Sequence, residues 1–192
     1  MSDHAKNQLI ERQLIDLASD APGIYETARA WFVEQGPGIV PALVQALDND
    51  RLGSVCHWRI LLLLRYFAQE ETLPALLRVL HRSLQERDYI VLPGAMEAIA
   101  VFHDAEAVNA LIALLQESDS DIVKHAAILL GQNGDMNASK PLIDLLSSTD
   151  PFVRYSAAKA LIKLGGSSNL AILKQHLDHE KNNEVRSLIS EA

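Results

Sequence analysis

The chain has 192 residues and only one cysteine, Cys56, so it cannot close an internal disulfide and needs no oxidising compartment. Aromatic residues make up 5%, with nine glycines and seven prolines, a poor supply for the strands and turns of a β-sandwich. Long apolar runs are missing as well. Runs such as Ile60 to Leu64 are far short of the ~20 residues that span a bilayer. The first twenty residues scatter charges throughout and hold no apolar segment of signal-peptide type. Basic excess is also lacking: 17 Lys and Arg stand against 25 Asp and Glu, a net charge of −8. Such a chain repels phosphate backbones at long range, which disfavours generic nucleic-acid binding. These absences point to a soluble, cytoplasmic protein with no membrane segment.

What is present suits helices. Apolar residues reach 48% and charged residues 22%, which excludes intrinsic disorder, and leucine and alanine are strong helix formers. At this length roughly 70% of the unfolded surface can be buried, so an apolar core suffices without a metal.

An internal repeat organises the chain. Residues 104–134 laid over 135–165 match at an offset of 31 without a gap. Asp104, Ala107, Leu111, Ile112, Leu114, Leu115, Asp119, Ala126, Ala127, Leu130 and Gly134 all recur 31 residues later. The first half of the unit carries an apolar stripe at Ala107, Leu111, Leu114 and Leu115, the i, i+4, i+7, i+8 spacing of one helix face. A polar break follows, with Asp119 or Asp121 as the cap of a second helix. That helix carries Ile122, Ala126, Leu129 and Leu130 and stops near Gly134. A two-helix unit cannot hide its apolar face alone and must stack on a neighbour.

The pattern extends in both directions. The stretches 40–47 and 73–80 copy the first helix, with Pro41 and Pro74 in the first turn, where a missing N–H is tolerated. Their second helices are expected over roughly 55–67 and 91–102, with extra length at 81–88. A shorter last unit covers 169–192, and its final helix is expected to leave Val185 and Ile189 exposed as a dimer contact. Two amphipathic helices within 1–37, split at Pro22–Gly23, read as an N-terminal capping pair. The expected organisation is therefore that cap plus five repeats over 38–192, forming one continuous domain. Leu111, Leu114, Ala126, Leu130, Leu142, Leu145, Ala157 and Leu161 are expected in the core.

Asp150, Val153, Arg154, Ala157, Ala158, Ala160, Leu161, Leu164 and Gly165 form an Asp-x-x-Val-Arg-x-x-Ala-Ala-x-Ala-Leu-x-x-Leu-Gly pattern. It resembles the short HEAT-type repeats first named for phycobilisome lyases. The resemblance implies an all-α, right-handed α-solenoid of antiparallel helix pairs. The Arg154 position holds Val123 and Leu92 in the two preceding units, so the Asp–Arg ladder of such families is incomplete here.

In such solenoids partners bind along the concave face, which the second helices line. With Val153 as position one, positions three, four, seven, ten and eleven should face away from the core. That frame selects Trp58, Arg59, Leu62, Arg65, Tyr66, Glu97, Lys124, His125, Tyr155, Lys159 and Lys163 as one strip. Five of these are Lys or Arg and one is Glu97. The strip reads either as a solvated helix face or as a groove for an acidic protein or peptide, since aromatic and Arg side chains anchor interfaces. Trp58 and Tyr66 have a third option, packing against the N-terminal cap.

Catalytic signatures are absent. The deoxyhypusine hydroxylase branch of this repeat type carries His-Glu pairs just before Ala-Ala, holding two irons. The matching pairs here are Trp58–Arg59, Pro93–Gly94, Lys124–His125 and Tyr155–Ser156, and the single His-Glu, His179–Glu180, falls in a loop. Cys56 takes a core-facing position, which suits a small hydrophobe better than a nucleophile. No catalytic residue, cofactor or metal ligand is therefore expected. The residues favour a binding scaffold over an enzyme. The resemblance adds an alternative, a lyase-like assembly or turnover factor for a tetrapyrrole-bearing protein.

Overall fold

The computed structural model describes residues 3–192, and among them every regular element is helical. The chain divides into two compact units, residues 1–101 and 102–192. The first holds α1 (Asp3–Leu17), α2 (Ile24–Glu34), α3 (Val40–Ala46), α4 (Gly53–Phe67), α5 (Leu73–Glu86) and α6 (Val91–Ile99). The second holds α7 (Ala105–Ala113), α8 (Ser120–Asn133), α9 (Ser139–Asp144), α10 (Pro151–Leu164), α11 (Ser167–Leu177) and α12 (Asn183–Ser190). No helix among the described residues is long and apolar enough to cross a membrane.

The 31-residue repeat becomes a repeat of caps in the second unit. Asp104 and Asp135 accept the amide N–H two residues on at 2.7 and 2.8 Å, opening the first helices. Asp119 and Asp150 do the same at 2.9 and 2.8 Å for α8 and α10, each satisfying an otherwise orphaned donor. Asp119, and not Asp121, is thus the cap. Gly134 closes α8 with φ +86° and Gly165 closes α10 with φ +71°, a backbone conformation open to glycine at no steric cost. Both first helices, α7 and α9, tighten into a 3-10 turn at their ends.

The closest packing lies between the second helices α8 and α10. A Cβ on Gly131 would stand 2.7 Å from the Ala160 Cα and 2.9 Å from its Cβ, so only glycine permits this approach. Ala126 and Ala157 are fully buried beside it. Seven of the eight expected core residues are buried; Leu145 is half-buried and Leu146 takes its place. The matching Leu114 begins the same kind of 3-10 turn and is buried with Leu115, so the turn alone does not set the exposure. The last helix also departs from expectation. Val185 and Ile189 are buried, because α12 packs on α10 and α11; they form core.

In the first unit, α5 absorbs the extra residues of 81–88 by running on to Glu86. The helix ends there are less regular: Ala68 and Arg87 take φ +47° and +55° after α4 and α5, where side-chain-bearing residues are strained.

Candidate functional site

The strip separates into two halves with different chemistry. In the first unit Trp58, Arg59, Leu62, Arg65 and Tyr66 lie on α4, and Glu97 lies on α6. Gly94 of α6 makes room for Trp58: a Cβ there would meet the indole Cδ1 at 2.7 Å. Tyr66 remains 60% exposed.

The cations of this half are engaged. Arg59 Nη1 donates to the carbonyls of Leu17 and Ser19 at 2.8 and 2.7 Å, and Nη2 donates to Asp20 at 2.9 Å. Its guanidinium also stacks 4.4 Å from the Tyr25 ring centroid. Arg59 therefore closes the C-terminus of α1, whose free carbonyls and negative dipole end attract a cation. Arg65 pairs with Glu97 at 2.6 Å.

In the second unit Lys124 and His125 lie on α8, and Tyr155, Lys159 and Lys163 lie on α10. Lys124 pairs with Asp121 at 2.6 Å, a bond that raises its pKa above the ordinary lysine value. His125 and Tyr155 are half-buried, while Lys159 and Lys163 are exposed and have no acidic partner among the described residues.

Position zero of each second helix was absent from the sequence frame. Its occupants include Val55 and Ile90 in the first unit, 36% and 51% exposed, and Phe152 in the second, 61% exposed. Position zero lies three and seven residues before positions three and seven, which places it on the same helix face. The signal was legible as an apolar residue just inside the cap; Phe152 follows Asp150 by two.

The remaining polar clusters have structural wiring. Ser54, His57 and Asp88 line a cavity of about 260 Å³, a set that suggests a hydrolytic triad. However, the Ser54 hydroxyl donates to Asp88 Oδ2 at 2.6 Å, and the His57 Nε2 lies 3.1 Å from the Asn49 carbonyl. A triad needs the hydroxyl on the imidazole. Burial alone would raise the Asp88 pKa, but Ser54 and the amides of Val91 and Ile90 outweigh it and hold the carboxyl below its usual range. The Cys56 thiol is pushed up to about 11 by burial and donates to the Leu14 carbonyl at 3.3 Å. It stays protonated at neutral pH and is a poor nucleophile.

Glu180 is buried and multiply bonded. Its carboxylate takes Arg154 Nε and Nη2 at 2.8 Å each and the amides of Lys181 and Asn182 at 2.9 and 2.8 Å. The Arg154 fork, with its side chain 15% exposed against 1% for Glu180, lowers the Glu180 pKa to about 2. Arg154 Nη1 also donates to the Ser148 carbonyl at 2.8 Å. The single His-Glu dipeptide thus supplies a structural anchor. Among the described residues no three His, Cys, Asp or Glu side chains gather where they could hold a metal.

Known proteins match this arrangement in part. A sequence model of HEAT repeats matches residues 40–129 and 124–192. A deoxyhypusine hydroxylase of Gibberella zeae is 43% identical over 67 residues, 33% of this chain and 20% of that protein. The phycocyanobilin lyase subunit alpha of Picosynechococcus sp. is 40% identical over 78 residues, 37% of this chain and 29% of that protein. The chain thus spans less than a third of either curated relative's length. An engineered protein of known structure aligns with a TM-score of 0.59 at 21% identity, covering 99% of this chain and 94% of its own.

Proposed function

The chain belongs to the HEAT-repeat family, and from that premise we propose that it is a protein-interaction scaffold binding an acidic segment of a partner along its second helices. The observation that carries this reading is the pair Lys159 and Lys163. Both are exposed and without an acidic partner, in a unit whose twelve Asp and Glu outnumber eight Lys and Arg. Lysines left unpaired amid so many carboxylates offer a local site for carboxylates from outside, and complementary charge sets orientation and on-rate. Tyr155 lies on the same face of α10. In the first unit Trp58, Leu62 and Tyr66 offer a mainly apolar surface, since Arg59, Arg65 and Glu97 are already engaged.

The test is a titration of a fluorescein-labelled, glutamate-rich dodecapeptide by fluorescence anisotropy. Lys159→Glu with Lys163→Glu should weaken binding at least tenfold without moving the melting temperature, since exposed substitutions shift stability by less than ~0.5 kcal/mol. Equal affinity of the wild type and the double variant would remove the lysine face as the binding surface.

A second reading is kept because a phycocyanobilin lyase subunit and a phycocyanin operon protein of Pseudanabaena tenuis are among the relatives. Under it the chain is an assembly or turnover factor for a tetrapyrrole-bearing protein. A red shift of bilin absorbance on adding the protein supports this reading, and an unchanged spectrum opposes it.

A further inference from the structure

We propose that Phe152 forms an apolar subsite beside the lysines, so that the partner segment is bipartite, with an apolar side chain at one end and carboxylates at the other. This rests on the acidic-segment reading above and goes further by naming the segment's second element and its direction. Phe152, Tyr155, Lys159 and Lys163 are spaced i, i+3, i+7, i+11 along α10, a single helix face. The Phe152 ring is 61% exposed, yet its backbone is fixed, because its N–H donates to the Asp150 cap at 2.8 Å. An ordered, exposed aromatic ring is the kind of group that anchors interfaces.

The surroundings give the face a direction. At the Phe152 end, Lys124 stands 5.8 Å from the ring centroid, but its charge is paired with Asp121. Asp119 and Asp150 act on the same ammonium. Three carboxylates at this end repel a carboxylate or phosphate from outside. The exposed ring accepts an apolar group instead. Lys159 and Lys163 lie toward the other end of α10. From Phe152 to Lys163 is about 16 Å at 1.5 Å per residue, the reach of roughly five extended residues. The occupant is therefore a short protein segment with an apolar residue about four or five positions from a cluster of Asp or Glu. A nucleic acid is disfavoured, since its evenly spaced phosphates would meet the three aspartates.

Two labelled peptides test this, one pairing four glutamates with a Leu-Phe end and the other ending in Ser-Ser. The wild type should bind the first at least tenfold more tightly. Phe152→Ser should abolish that preference while leaving the Ser-Ser affinity unchanged, and Phe152→Leu should retain most of it; circular dichroism verifies that both fold. If Phe152→Ser keeps the tenfold preference, the apolar subsite falls and the lysine site stands. If Lys159→Glu with Lys163→Glu also leaves both affinities unchanged, the acidic-segment reading falls with it. A single-stranded oligonucleotide of equal charge binding as tightly as the Leu-Phe peptide would overturn the assignment to a protein segment.

Discussion

Residues 1–101 carry eight arginines and one lysine, whereas residues 102–192 carry six lysines and two arginines. The difference follows what each unit does with its cations. In the first unit Arg59, Arg65, Arg78 and Arg82 all reach across to another segment: Arg59 to the end of α1, Arg65 to Glu97, Arg78 to Asp48 at 3.8 Å and Arg82 to the Leu47 carbonyl at 2.7 Å. The planar guanidinium presents its donors in a fixed fork, whereas a lysine ammonium is a compact point charge on a flexible stem. In the second unit Arg154 plays that part around Glu180, and Arg186 donates to the Leu177 and Glu180 carbonyls at 2.7 and 2.9 Å. Its Lys159 and Lys163 are exposed. Regularity differs in the same sense. The second unit opens α7, α8, α9 and α10 with aspartates in 31-residue register, while in the first unit Asn49 and Asp88 cap without that register. A unit with a strict repeat packs through its periodicity, and one with a broken repeat needs specific side-chain ties.

Loss of Glu180 should have the largest effect. Glu180→Gln leaves the Arg154 guanidinium half-buried without its carboxylate, and breaking such a pair costs about 3 kcal/mol or more. The pH dependence follows from the depressed pKa. The stabilisation is present in full above the ordinary value of 4.5 and disappears as pH falls through about 2. Acid titration of unfolding should therefore show a component in that window for the wild type and lack it in Glu180→Gln. Next comes Gly131→Ala, which forces α8 away from α10 and should cost about 2 kcal/mol by urea denaturation. An unchanged midpoint would mean that α8 and α10 do not approach so closely.

Arg59→Lys should cost about 1–2 kcal/mol, because an ammonium cannot serve two carbonyls and Asp20 in the same geometry. Lys163→Arg, by contrast, should be neutral. Equal effects of the two substitutions would erase the distinction between strapping arginines and free lysines. The smallest effect belongs to the strained helix ends. Ala68→Gly should stabilise the protein by roughly 0.5–1 kcal/mol, measured as a higher melting temperature, since φ +47° suits glycine.

Much of the fold was legible before any coordinates. The 31-residue offset carries both the apolar face and the capping aspartates, so helix count, helix order and most of the core follow from local periodicity. The site was legible only in part. The frame assigned Arg59 and Lys159 to one strip, since helix spacing gives the direction of a side chain but not what lies opposite it. Whether a cation is free depends on residues 39 positions away in sequence, such as Asp20 facing Arg59. Phe152 was missed because the frame began at position one, although the residue lies on the same face.

By itself, then, the sequence determined an all-helical chain of paired repeats, where the second-unit helices start and stop, and which stripe of each is buried. These are short-range properties, set by propensity, capping and a period of 3.6 residues. The tertiary structure decided which charges are engaged and which are free, why Gly131 must be glycine, and that Val185 and Ile189 belong to the core. All three depend on the close approach of helices distant in sequence, and packing at that range is fixed by atomic shape and hydrogen-bond geometry.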